Sequence, residues 1–295
     1  MKKILYLLIS IALFGGCEEE IPIEQLNTYT EKLVVNEVFN NHTPFSIQIS
    51  NSKSAYYDKN PEILGPETIT EINLKDGDNN VIPLTFDQFS RTYFSGELPL
   101  PGKSYKLLIN SKNFTNVNST GFLPLKINNM NSTWIENGGI DMQGNKSDLL
   151  KVTFTDDKNS KDYYKINFMY YSELVDKFNS FEFKLNDILS AVSTIKTRDG
   201  GLLFSDETFN GESKTITAIP PAGLVKANTT YKYLISIEKL SSEYWKYYTS
   251  LEMYRGGSSG SSGTDLFRGA TVIYSNINNG LGIFAGTSIK ADTLK

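Results

Sequence analysis

Beyond residue 32 the chain alternates apolar and polar positions in short runs, the period of half-buried β-strands. The runs Leu33–Phe39, Phe45–Ile49, Ile69–Leu74, Val81–Phe86 and Tyr105–Ile109 predict strands in a first region. Turn signals separate them: Asp76-Gly77 supplies the positive φ of a tight hairpin, and Pro101-Gly102 presets both central positions of a turn. A second region repeats the pattern at Leu150–Thr155, Tyr163–Tyr171, Phe181–Lys184, Leu202–Phe204, Lys214–Ile219, Tyr231–Ile237, Thr271–Tyr274 and Leu281–Ala285, with turns at Asn210-Gly211 and Asn279-Gly280. Between the regions, 126–145 is rich in Asn and Gly without a clear period and reads as a linker.

One helix is predicted. Ser241 and Ser242 are candidate N-caps, Tyr244, Tyr247, Tyr248, Leu251 and Tyr254 recur at helical spacing, and Gly256-Gly257 close it. Such a stripe predicts a face packed on a sheet, with a ligand platform as the alternative. A second, weaker helical pattern runs over 187–195, and the Gly/Ser repeat 256–263 reads as a flexible loop. The fold expected is therefore mainly β: two β-sandwich units of immunoglobulin or fibronectin type, 31–125 and 146–295, the second larger and carrying one amphipathic helix.

The first 30 residues follow another logic. Lys2 and Lys3, an apolar run from Ile4 to Phe14, and Gly15-Gly16 before Cys17 form a signal peptide over 1–16, too short to span a bilayer. A cysteine directly after two glycines resembles the bacterial lipobox, in which the thiol is acylated and the cysteine becomes the first mature residue. The segment 17–30 is then a lipidated acidic linker, and more than one acyl chain anchors stably. Glu18, Glu19 and Glu20 resemble the surface-export signal of lipoproteins that face the cell exterior; a solvated linker is the alternative.

Composition narrows the functions. The 295-residue chain has a formal net charge of −4, and loss of Lys2 and Lys3 leaves 27 basic against 33 acidic residues, near −6. An acidic chain without a basic stripe lacks the electrostatic basis for nucleic-acid binding. Cys17 is the one cysteine, so no intramolecular disulfide forms, and His42, the one histidine, lies in a polar loop. Thiol and Ser-His-Asp catalysis, and zinc or iron sites of the common kinds, lack their groups. Gly256–Gly260 matches a nucleophile elbow in letters but follows a helix where a strand is required. Gly102-Lys103-Ser104 lacks the first glycine of a phosphate-binding loop, since position 97 is Glu97. Asp76, Asp78, Asp156 and Asp157 offer oxygen to calcium in no recognised loop pattern and read as turn residues. No cofactor and no metal are expected. Trp134, Tyr56 and Tyr57 are candidate glycan-contacting rings, with ordinary core or loop roles as the alternative, and Thr293 in Asp292-Thr293-Leu294 is a candidate O-glycosylation site.

Several stretches together resemble one family, the Bacteroidota outer-membrane lipoproteins grouped as domain of unknown function 4249. They are Leu33-Val34-Val35-Asn36, Pro101-Gly102-Lys103-Ser104-Tyr105, Thr153-Phe154-Thr155-Asp156-Asp157 with Tyr163-Tyr164, and above all the run Ile273–Gly286, which reads as a strand, a turn and a second strand. The resemblance implies a cell-envelope lipoprotein, often encoded near TonB-dependent outer-membrane receptors, with no agreed biochemical activity and no catalytic residue among the matching positions. The function expected is a non-enzymatic accessory or binding subunit. A stand-alone glycan-binding module or adhesin is the alternative, and an envelope hydrolase with a carboxylate pair is more remote.

Overall fold

The computed structural model describes residues 29–54, 60–185, 194–225, 232–258 and 272–295, with no account of the side chains of 256–258. Cys17, Glu18, Glu19, Glu20, Tyr56 and Tyr57 fall outside the described residues, as do the signal peptide and most of the weaker helical pattern.

The chain is mainly β, as its alternation predicts. In order the strands are β1 (Leu33–Asn40), β2 (Ser46–Asn51), β3 (Ile69–Asp76), β4 (Val81–Ile82), β5 (Thr85–Asp87), β6 (Thr92–Phe94), β7 (Ser104–Ser111), β8 (Val117–Phe122) and β9 (Asn128–Ile140). There follow β10 (Lys146–Thr155), β11 (Tyr163–Ser172), β12 (Lys177–Ser180), β13 (Lys184–Leu185), β14 (Ile195–Lys196), β15 (Leu202–Ser205), β16 (Ser213–Ile219), β17 (Tyr233–Leu240), helix α1 (Ser242–Ser258) and β18 (Leu281–Leu294).

One ten-stranded sheet runs β14-β15-β11-β17-β18-β1-β2-β6-β5, with β12 paired to β11. Two four-stranded sheets, β4-β3-β7-β8 and β13-β16-β10-β9, complete the described strands. The first covers one half of the long sheet over a cluster that includes Val35, Phe39, Phe45, Ile47, Leu74, Tyr105, Ile109 and Phe284. The second covers the other half over Leu150, Val152, Phe154, Tyr164, Ile166, Phe168, Phe204, Ile216 and Ile235. The two sandwiches therefore share a sheet.

Four expectations need correction. Residues 126–145 hold the edge strand β9, hydrogen-bonded along β10 with register shifts at two places. Its inward positions Met130, Ser132 and Trp134 do alternate, but with a serine among them and polar residues between, which hides the period from a hydrophobicity reading. Residues 272–274 form no strand, so the Ile273–Gly286 run is not a hairpin. Its second half is longer than expected and pairs with β1 in parallel, Val34 opposite Leu281 through Asn40 opposite Thr287, while its other edge pairs antiparallel with β17. Residues 181–183 are irregular although Phe181 and Phe183 are buried, and in the first hairpin positive φ falls on Asn79 (66°) rather than on Gly77.

Helix α1 forms where expected. The Ser241 hydroxyl accepts from the Tyr244 amide, the side-chain cap that satisfies a free donor of the first turn. The buried face is narrower than the predicted stripe: Tyr248, Tyr244 and Leu251 pack with Trp245 against Leu203, Leu240 and Tyr163, whereas Tyr254 is exposed.

β18 crosses close to β8, and glycine permits it. A Cβ on Gly286 would overlap the Phe122 carbonyl, and one on Gly121 would lie 2.8 Å from the Phe284 carbonyl oxygen. Gly282 has φ +104° and faces the Val35 backbone with no room for a Cβ. Gly282→Ala combines a forbidden dihedral with backbone overlap in the central pairing, so urea unfolding is expected to show a loss of more than about 3 kcal/mol.

Glu37 lies on the side of β1 that carries Val35 and Phe39 and is 8% exposed, with the Ser46 amide donating to it at 3.2 Å. Burial, offset in part by that bond, pushes its carboxyl up from 4.5 to about 7. A raised folded-state pKa stabilises fully below the unfolded value and is lost as pH climbs to the folded one. The stability of the wild type relative to Glu37→Gln is therefore expected to fall by about 3 kcal/mol between pH ~4.5 and ~7, measured by denaturant titration.

Candidate functional site

Trp134 is the one predicted binding residue with described surroundings of any chemical variety. On the inward face of β9 its register partner is Leu150 of β10, and its ring lies beside Tyr233 of β17, centroids 6.4 Å apart. It lines a cleft of about 200 Å³ with Glu136, Asn137, Lys146, Ser147, Asp148, Pro221, Gly223, Leu224, Val225, Lys232 and Tyr233. The Lys232 ammonium sits 4.2 Å from the Trp134 ring centroid, a cation–π contact. The indole Nε1 donates to the Lys295 carbonyl at 3.3 Å, tying the ring to the end of the chain.

The cleft floor is preorganised. Tyr233 donates its hydroxyl to Asp148 Oδ2 at 2.8 Å, and the Asn137 amide donates to Asp148 Oδ1 at 3.1 Å. Burial, with the Asp148 carboxylate beside it, raises the Tyr233 pKa far above the usual phenol range, so the phenol remains a donor. An aromatic face, an ammonium, a fixed carboxylate and a serine around a small concavity suit a neutral or mixed-charge polar ligand with an apolar face. The cleft is small, and Lys232 already covers one side of the ring.

Two polar clusters were not legible as groupings. In the first, carboxylate oxygens of Asp156, Asp162 and Asp206 come within 4.8 Å of one another, all three residues buried. Asp156 follows β10, Asp162 precedes β11 and Asp206 follows β15, so the turns at one end of the sandwich bring them together. Tyr164 donates to Asp156 Oδ1 at 2.5 Å and the Gly211 amide to Oδ2 at 2.8 Å. The Asp162 amide donates to Asp206 Oδ2 at 2.8 Å, and Lys239 forms an ion pair with Asp162. Burial raises the pKa of Asp162, against the pull of Lys239, and burial likewise raises that of Asp206. The Lys239 ammonium thus supplies a positive charge to the cluster through Asp162. Asp76, by contrast, accepts from the Asp78 and Asn80 amides in a surface turn, and Asp157 does the same for Asn159.

The second cluster lies between the long sheet and α1. Lys165 Nζ is 2.5 Å from Asp199 Oδ2 and 3.9 Å from Glu238 Oε1, and 4.9 Å from the Tyr248 ring centroid. Thr197 and Tyr248 donate to Asp199, and Asn167 donates to Glu238. Burial works against the Lys165 charge, but Glu238 and Asp199 outweigh it and hold the ammonium's pKa above its ordinary value. Gly201 closes over this network, since a Cβ there would strike Asn167, Lys165 and Thr197. The groups satisfy one another and fasten the helix to the sheet.

The remaining candidates are plainly placed. Thr293 is exposed and lies in β18 opposite Leu234, with Leu294 buried beside it. His42 stays in its loop, its Nε2 2.9 Å from the Ile289 carbonyl. Gly102 has φ +80° in a turn, and Lys103 pairs with Asp78.

Removing the cation from the first cluster leaves the buried Asp162 carboxyl without its ion-pair partner, beside two further buried carboxyls. Lys239→Met is therefore expected to cost about 3–5 kcal/mol at neutral pH, and adding Asp162→Asn to recover much of it, both read by chemical denaturation.

A protein-family model described as "Domain of unknown function (DUF4249)" matches residues 18–293. No curated protein matches the chain.

Proposed function

This chain belongs to the DUF4249 family, and we propose that it is a non-enzymatic cell-envelope lipoprotein of a Bacteroidota-type cell. It is tethered through Cys17 to the outer membrane, faces outward behind the acidic run Glu18–Glu20, and serves as an accessory binding subunit of a TonB-dependent transporter. The observation that supports this most is the placement of the Trp134 cleft relative to the point where the tether arrives. β18 starts at Leu281, level with Val34 at the beginning of β1, and ends at Leu294, opposite Tyr233 of the cleft. Its 14 residues span roughly 43 Å at strand rise. A body held by its amino terminus would offer the cleft at its far end, where an outer-membrane partner or solute can reach it.

A stand-alone glycan-binding role is the second reading, favoured by the pairing of the Trp134 ring with the fixed Asp148 carboxylate and the Lys232 ammonium in one cleft. A sugar face stacks on an indole while its hydroxyls take the polar rim, but here it must displace Lys232 or use the other side of the ring.

Purification of the acylated protein from native membranes in mild detergent is expected to retain a large β-barrel protein. Repeated recovery of the lipoprotein alone would count against the transporter role. Glycan-array binding abolished at least tenfold by Trp134→Ala, without a barrel partner, would favour the second reading.

A further inference from the structure

Strand register places one exposed ring at the end of the molecule where the tether arrives. Leu33 pairs with Asn51, and β2 continues into β6 with Ser46 opposite Phe94 and Ile47 opposite Tyr93. β6 runs antiparallel to β2, so the β5–β6 turn, residues 88–91, lies toward the end of the sheet where β2 reaches Asn51 and β1 begins, and Phe89 stands in that turn. Phe89 is 97% exposed.

The turn that carries it is organised. The Asp87 carboxylate accepts from the Phe89 amide at 3.0 Å, the Ser90 amide at 3.3 Å and the Ser90 hydroxyl at 2.7 Å. Arg91, at φ 54°, donates to the Ile63 carbonyl at 2.7 Å, and Ile63 bridges to Ser50 of β2. Among the described residues, none covers this large apolar side chain, which the braced polar turn holds outward.

Chain length restricts what this end can meet. Cys17 and Leu33 are 16 residues apart, so β1 begins at most about 55 Å from the acyl chains. Among the described residues at this end the charges cancel, with Lys32, Arg91 and Lys112 set against Glu62, Glu67 and Asp87, and Lys53 paired with Glu31. An anionic surface would therefore gain little from charge, and the contact on offer is apolar.

We propose that Phe89 is a membrane-contact residue, its ring entering the lipid interface beside the anchor and setting the body on end with the Trp134 cleft turned away from the bilayer. The inference rests on acylation of Cys17, part of the function proposed above. One buried phenylalanine is too little to bind a free protein, but a tether keeps the local lipid concentration high. Under that condition it biases the orientation by roughly ten- to hundredfold.

The test uses the full acylated protein in vesicles of phosphatidylethanolamine and phosphatidylglycerol, with and without brominated acyl chains. Emission added by Phe89→Trp, above that of the two native tryptophans, is expected to be quenched several times more strongly by brominated lipid than emission added by Leu174→Trp. Leu174 is 95% exposed on the β11–β12 turn at the opposite end. In the wild type, vesicles are expected to slow hydrogen exchange of the Phe89 and Ser90 amides and leave those of Glu173 and Leu174 unchanged. Protein that does not float with the vesicles would overturn the anchor and this inference with it. Flotation with equal quenching at the two positions and no added protection at Phe89 would overturn this inference alone, leaving the anchor standing.

Discussion

The parallel pairing of the first strand with the last is the constraint on which the rest of the structure depends. β1 cannot be completed on that edge until β18 has been made, and β18 joins the four strands on the β1 side of the long sheet to those on the β17 side. Phe284 enters the first cluster and Leu294 the second, so one strand contributes to both cores. The crossing is sealed by backbone mimicry: Asn276 accepts from the Phe284 amide and donates to its carbonyl, pairing with β18 much as a strand residue would. A fold closed by contacts this distant in sequence pays loop-closure entropy late, which places it among slowly folding topologies.

Buried charge adds specificity at two other joints. Asp156, Asp162, Asp206 and Lys239 lie where β10, β11, β15 and β17 meet, and each turn contributes a group that only the correct register brings within reach. The Lys165 network does the same between the long sheet and α1. Neither arrangement adds much net stability over an apolar equivalent, because desolvation offsets attraction; what such a cluster does is penalise mispairing. That accounts for Asp156 and Tyr164 within the stretches that resemble the family without giving them a chemical role.

What could be read from the chain follows from how far the deciding contacts reach. Alternation revealed β1, β2, β3, β7, β10 and β16 because each buries chiefly one face, and β11 because the residues between Tyr164, Ile166 and Phe168 are polar though buried, and Ser241 with the aromatic spacing revealed α1, since caps and stripes are local. β9 stayed hidden: as an edge strand it buries one face lightly, so its Asn-rich outward positions outweigh Met130 and Trp134. β6 and β8 lack a run long enough to declare itself, and the irregular path at 272–277 exists because Asn276 and Ile277 answer to β18 and β8. At the cleft, Trp134 was visible as a residue type, but its companions come from elsewhere in the chain, Asp148 from β10 and Lys232 from just before β17. The acidic cluster spans from Asp156 to Lys239, and no spacing rule reaches that far.

Strand direction ties these levels together. In an antiparallel meander both ends of the sheet receive turns alike, and nothing makes one end special. Here the parallel pair breaks that equivalence: β1 and β18 leave one end of the sheet together, so the segment following Cys17 arrives at the end where β18 begins. Whatever β18 carries at its carboxyl end is displaced from the start of β1 by the length of the strand. Trp134 donates to Lys295 and Tyr233 pairs with Leu294, so the cleft is attached to that far end by hydrogen bonds, not merely near it. A single topological choice, permitted by glycines that let β18 lie beside β1 and across β8, therefore closes the fold and separates the end of the body where β1 begins from the end that holds the Trp134 cleft.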